Sequence, residues 1–121
     1  MKRPGPDHPI DIAPFGGRVR VKAGGETIAD SARALTLKEA DYPPVHYLPR
    51  GDVDMERLER TDRRTHCPFK GDASHFSIAA DDGRIENAAW SYEEPLPAVG
   101  EIRGRLAFYP DKVTIETVPF G

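Results

Sequence analysis

The stretch His75-Phe76-Ser77-Ile78-Ala79-Ala80-Asp81-Asp82-Gly83-Arg84-Ile85-Glu86-Asn87-Ala88-Ala89-Trp90-Ser91-Tyr92 decides the fold. Phe76, Ile78 and Ala80 alternate with His75, Ser77 and Ala79, the period of two that lays one side of a strand on a core. Asp81-Asp82-Gly83 is turn chemistry, and Arg84 to Tyr92 returns as the second strand of a hairpin. The return slips phase. Ile85 falls in step with Asn87 and Ala89, whereas Trp90 and Tyr92 fall in step with Ala88. A bulge near Asn87 is therefore expected, placing Ile85 and Trp90 on one side, and bulges often lie beside functional sites.

The same pattern extends outward. On the C-terminal side, Ile102, Leu106 and Phe108 alternate with Arg103, Arg105 and Tyr109, and Pro110-Asp111 turns the chain into Val113, Ile115 and Thr117. On the N-terminal side, Val19, Val21 and Ala23 alternate with Arg18, Arg20 and Lys22. Gly24-Gly25 turns that strand into Thr27-Ile28-Ala29, and Leu35 and Leu37 mark a third strand ending at Glu39. Tyr42-Pro43-Pro44 breaks the chain before the short strand-like Val45 to Leu48. Asp52 is placed to cap one short helix over Val53 to Arg60, with Val53, Met55 and Leu58 as its apolar contacts. No helical segment separates successive strands, so parallel βαβ units are excluded. The expectation is a mainly β domain of two packed antiparallel sheets with one short helix, spanning residues 18–121. Residues 1–17, with Pro4, Pro6, Pro9 and Pro14, read as an extended arm with Ile10, Ile12 and Phe15 as docking points.

Composition bounds the function. A chain of 121 residues with 38% hydrophobic and 31% charged content supports one domain and a modest core. Its twelve prolines and eleven glycines favour short strands and turns. A net charge of -3 argues against a nucleic-acid partner. The single cysteine excludes an internal disulfide and any multi-cysteine zinc site, and fits a reducing compartment. No apolar run approaches the roughly 20 residues that span a bilayer, and Met1-Lys2-Arg3-Pro4-Gly5-Pro6 lacks the apolar segment of a secretory signal. A cytoplasmic protein with no membrane partner is expected.

One region concentrates chemistry. Thr65-His66-Cys67-Pro68-Phe69-Lys70-Gly71 holds the only cysteine three positions from a lysine in a turn, and Trp90 is the only tryptophan. Counting back from the Asp81-Asp82-Gly83 turn sets residues near Ser74 opposite residues near Trp90, so both motifs belong at one end of the sheet. Tyr47 approaches from the segment before the helix. Small-molecule pockets are apolar walls with a few aimed polar groups, and Trp90, Tyr92, Tyr47 and Lys70 supply both kinds. Each has a plainer reading. The aromatics could simply fill core, and Lys70 could pair with a carboxylate such as Asp52 or Asp30. Cys67 becomes a nucleophile only if Lys70 or His66 lowers its pKa. His8, His46, His66 and His75 lack metal-binding spacings, so no metal is expected. Arg57, Arg60 and Arg64 fall near one helical face and could meet phosphates, but Glu56, Glu59 and Asp62 are interleaved with them, which reads as a solvated, self-paired surface.

In order, Ile28-Ala29-Asp30-Ser31, Tyr47-Leu48-Pro49 with Asp52-Val53, Cys67-Pro68-Phe69-Lys70-Gly71-Asp72-Ala73, Ala89-Trp90-Ser91-Tyr92 with Pro95, and Leu106-Ala107-Phe108-Tyr109 resemble the bacterial domain-of-unknown-function family number four hundred and twenty-seven. The resemblance runs from about Arg18 to Val118. It implies a β-tent-like architecture, two antiparallel sheets meeting at an angle, as in the B-type methionine sulfoxide reductases. Many β-tent relatives carry zinc on two cysteine pairs, which this chain cannot supply, so no cofactor is expected. Where the family has a tyrosine-tryptophan pair after the Lys-Gly turn, this chain has His75-Phe76.

The function expected is binding of a small polar or anionic ligand in an aromatic-walled cleft between the sheets. Trp90, Tyr92 and Tyr47 would be its walls, and Lys70 and Asp52 would orient the ligand. The alternatives are an enzyme using Cys67 as a reactive thiol, by analogy of architecture alone, and peptide capture at an open sheet edge. Least supported is the nucleotidyltransferase label attached to the family, because no Gly-Ser dipeptide with paired aspartates follows here.

Overall fold

A computed structural model describes residues 3–121. Ten strands follow one another: β1 Ile10–Pro14, β2 Gly17–Ala23, β3 Glu26–Ser31, β4 Leu35–Glu39, β5 Val45–Tyr47, β6 Leu58–Cys67, β7 Gly71–Ala80, β8 Gly83–Ser91, β9 Ala107–Phe108 and β10 Thr114–Pro119. The protein is mainly β, and among the described residues all the strand pairing is antiparallel. The strands form three sheets, ordered β1-β4-β5, β10-β2-β3 and β6-β7-β8-β9, where two were expected. The difference lies in Leu35–Glu39. Instead of extending the β2–β3 hairpin, it pairs with β5 and with Ile10–Pro14, which lies inside the stretch read as an arm. Met1 and Lys2 of that stretch lie outside the described residues.

The expected helix over Val53 to Arg60 is replaced by two short 3-10 turns, Arg50–Asp52 and Met55–Arg57, after which Leu58 starts β6. Tertiary contacts explain the change. Asp52 does not cap a helix, because its carboxylate accepts from Ser31 Oγ at 2.6 Å and from the Arg33 guanidinium at 3.0 Å. Val53 is drawn into an isolated bridge with Ala29, and the Asp54 N–H donates to the Ile28 carbonyl at 2.8 Å. Arg60 and Arg64 therefore sit on a strand, not along a helical face.

The β7–β8 hairpin forms the spine. Ile78 faces Ile85 and Phe76 faces Ala89, so Ser77 stands against three residues, Glu86 to Ala88. The expected bulge is present at Asn87, whose φ of +47° is left-handed. Its N–H donates to Ser77 Oγ at 3.0 Å, and its side-chain oxygen accepts from Thr61 Oγ1 at 2.6 Å. A bulge with two extra residues leaves the alternation in phase, so Ile85 shares a face with Ala89, and Trp90 faces the other way, opposite His75. The expectation that Ile85 and Trp90 share a side is thereby corrected.

Each face of the hairpin packs on its own core. One face joins Val19, Val21, Ile28, Leu48, Phe76, Ile78, Leu106 and Phe108 into an apolar cluster. Each such aliphatic side chain contributes about 1.5–3 kcal/mol of burial. The other face joins Leu37, Tyr47, Ala73, Tyr92, Val99 and Ile102, with Trp90 and Cys67 packed against them.

Candidate functional site

The β6–β7 turn is the first wall. Cys67 pairs with Gly71, and the Lys70 N–H closes the turn on the Cys67 carbonyl at 3.2 Å. Gly71 sits at φ +109°, a backbone conformation that favours glycine. The Lys70 carbonyl in turn accepts from the Leu96 N–H at 2.9 Å, tying the turn to the segment after β8. Arg50 clamps that segment on either side of Leu96, through both carboxylate oxygens of Glu93 at 2.8 and 2.7 Å and the Gly104 carbonyl at 2.6 Å.

Lys70 is 9% exposed, and its ammonium makes an ion pair with Glu39 at the end of β4. Sequence reasoning named Asp52 and Asp30 as partners. Asp30 instead pairs with Arg18 at 2.7 Å and Asp52 with Arg33. The second oxygen of Glu39 bonds His8 Nε2 at 2.7 Å, and the His8 ring stacks on Phe69 with centroids 3.8 Å apart and planes 8° apart. Burial raises the Glu39 pKa, but the hydrogen bonds to Lys70 and His8 outweigh it and hold the carboxyl below its ordinary value. Residues near the start of the chain thus lie over the Cys67–Lys70 turn.

The aromatic wall comes next. Trp90 meets Tyr47 edge-on at 6.3 Å and Tyr109 at 4.4 Å, and Tyr47 lies 6.5 Å from Tyr92. Burial pushes the pKa of Tyr47, Tyr92 and Tyr109 upward, so all three phenols stay protonated and can both donate and accept. His75 is fully buried and bonds the Tyr109 hydroxyl at 3.0 Å, while burial lowers its pKa and keeps it neutral.

Two adjoining cavities result. A cleft of about 760 Å³ lies among all three sheets, walled by Val19, Val21, Leu48, Phe108 and Ile115, with Cys67 at its edge. A second cavity of about 190 Å³ is lined by Leu37, Tyr47, Thr65, Tyr92 and Tyr109. Glu39, Lys70 and Trp90 line both, together with Tyr42, Pro43 and Val45. Of the residues singled out from sequence, Lys70, Trp90, Cys67, Tyr47 and Tyr92 therefore meet around these cavities. Asp52 does not; it lines a separate surface hollow with Asp30 and Asp54. Among the described residues, no group of three or more His, Cys, Asp or Glu side chains could hold a metal ion.

Sequence reasoning missed Glu39, His8 and Tyr109. Tyr109 alternates with Arg103 and Arg105 and so reads as outward-facing. Glu39 carried no signal beyond ending a strand, because its partnership with Lys70 joins positions 31 apart.

The family model described as a domain of unknown function (DUF427) matches residues 11–119. No curated protein matches the chain.

Proposed function

The chain belongs to that DUF427 family, whose description assigns no chemistry, and from the geometry of its own site we propose that it is a small-molecule binding module. The ligand occupies the cleft among the sheets, lies against Trp90, and places an oxygen acceptor at Lys70. One observation carries this reading. Lys70 is nearly buried in a wall shared by two cavities, and among the described residues its ammonium reaches one acceptor, Glu39. An ammonium has three donors, so two are left for a ligand, in a setting where apolar walls strengthen each hydrogen bond. The volume of the cleft, about 760 Å³, falls within the usual range for ligand pockets. A cytoplasmic setting, with Cys67 kept reduced and a soluble metabolite as partner, fits this reading. Among the described residues, no helix is long and apolar enough to cross a membrane.

Trp90 is the only tryptophan, so intrinsic fluorescence reports on the site directly. A screen of small aromatic acids and amides should shift its emission saturably. Lys70→Ala should weaken the hits by about tenfold or more, while Arg57→Ala, on the far surface with Glu26, should change nothing. Hits that bind the Lys70→Ala variant as tightly as the parent would overturn the reading.

A second reading, Cys67 as a reactive thiol, rests on its place at the edge of the same cleft. Its two suggested activators are engaged elsewhere, His66 with Asp72 at 2.7 Å and Lys70 with Glu39. Alkylation across pH separates the readings. A thiol that reacts only near its free pKa of about 8.5 removes the enzyme, and Cys67→Ser should leave ligand affinity unchanged.

A further inference from the structure

The two adjoining cavities differ in chemistry. The large cleft is walled by side chains of Val21, Leu48, Phe108 and Ile115. The small cavity is lined by four residues that carry hydroxyls, Tyr47, Tyr92, Tyr109 and Thr65. Lys70, Glu39 and Trp90 stand between the two and belong to both walls.

We propose that a single uncharged amphiphile spans both cavities, with a hydrogen-bonding head such as a carboxamide in the small one and an apolar body in the large one. The inference rests on the binding reading above and narrows its ligand class. Charge balance is the first argument. The ammonium of Lys70 is already paired with Glu39, whose other oxygen bonds His8, so beside a neutral His8 ring an ionised head would add an unbalanced charge to a nearly buried pair, and burying such a charge is costly. An uncharged head avoids that cost and still meets the two remaining donors of Lys70.

Group chemistry is the second argument. Protonated phenols and a threonine hydroxyl each carry one donor and acceptor lone pairs, of which Tyr109 already uses one on His75. They match a head that both gives and takes hydrogen bonds, as an amide does. Size is the third. At roughly 30 Å³ per water in the liquid, a cavity of about 190 Å³ corresponds to some six waters. That admits a carboxamide and the first carbons behind it, and the rest of the molecule must lie in the larger cleft.

Three probes with one tail test this on the intact protein: 4-butylbenzamide, 4-butylbenzoate and butylbenzene, each titrated against Trp90 fluorescence. The amide should bind tightest, by about fivefold or more over either relative, and benzamide without the butyl tail should bind more weakly than 4-butylbenzamide. Tyr92→Phe and Tyr109→Phe, which keep the rings, should each weaken the amide about three- to tenfold and leave butylbenzene unchanged. Benzoate binding as tightly as the amide overturns the uncharged head. Butylbenzene binding as tightly as the amide, with neither tyrosine variant affecting the amide, overturns the small cavity as the head's seat. Both results leave the binding module standing. If no probe perturbs Trp90 up to about 10 mM, the cleft is not a binding site and both proposals fall.

Discussion

The two faces of the β7–β8 hairpin come from one alternating sequence, yet they are built to different ends. The face carrying Phe76, Ile78, Ile85 and Ala89 meets Val19, Val21 and Ile28 from β2 and β3 and Phe108 from β9 in an apolar core, and Val19, Val21 and Phe108 of that core also wall the large cleft. The face carrying His75 and Trp90 meets Tyr47, Tyr92 and Tyr109 and borders the small cavity and the Lys70–Glu39 pair. The lesson is a division of labour within one element. A packed apolar face carries stability through burial. The opposite face borders the small cavity, whose unfilled volume forgoes packing contacts, and carries the polar groups that meet the ligand in the binding reading proposed above.

The strongest test of this contrast is on the apolar face. Ile78 is fully buried at its centre, and Ile78→Ala should cost about 2–5 kcal/mol of unfolding free energy in urea, through lost burial plus a residual cavity. A loss comparable to that of a surface substitution would show that this face is not the stabilising one.

On the other face, Glu39→Gln should cost about 1–3 kcal/mol near neutral pH, because Lys70 loses its charged partner inside the wall. This variant also carries a pH signature. The carboxyl of Glu39 ionises more readily when folded than when unfolded, so across that interval the unfolded chain binds more protons and stability rises with pH. The contribution is complete above the ordinary glutamate pKa and is lost as pH falls through the lowered folded value. Chemical denaturation from acid to neutral pH should show a shallower acid limb for Glu39→Gln. Parallel curves for variant and parent would mean that the pair does not hold the carboxylate.

The bulge that keeps the two faces in register gives a smaller effect. Asn87→Gly tolerates φ +47° but loses the hydrogen bond from Thr61, and Asn87→Ala loses the bond and is strained as well. Alanine should be about 1 kcal/mol less stable than glycine at this position, as thermal melts would read it. Equal stability would place the bulge's cost elsewhere. The smallest effect belongs to β10, where Val118 is 64% exposed. Val118→Thr should change stability by no more than about 0.5 kcal/mol, and a larger loss would reveal apolar packing outside both faces.

Much of this architecture was legible from residues alone. The alternation about Phe76 and Ile78, the turn at Asp81-Asp82-Gly83 and the phase slip near Asn87 are local signals, and antiparallel register converts them into distance. That is why Ser74 opposite Ser91, and His75 opposite Trp90, could be expected within a residue. The helix over Val53 to Arg60 could not be judged in the same way. Asp52 is a sound capping residue locally, but Ser31 and Arg33 compete for its carboxylate, and β3 draws Val53 into an extended bridge.

Local periodicity and turn chemistry, then, determined by themselves that this chain is mainly β, antiparallel, and brings the Cys67–Lys70 turn close to Trp90. These properties depend on neighbours in sequence and on a fixed strand repeat. Tertiary structure alone decided that Lys70 pairs with Glu39, that His8 lies over Phe69, that Tyr109 faces a cavity, and that Asp52 stands apart. Each of those outcomes depends on which distant group reaches a partly buried charge or ring first, and a desolvated group takes whatever partner the assembled sheets present.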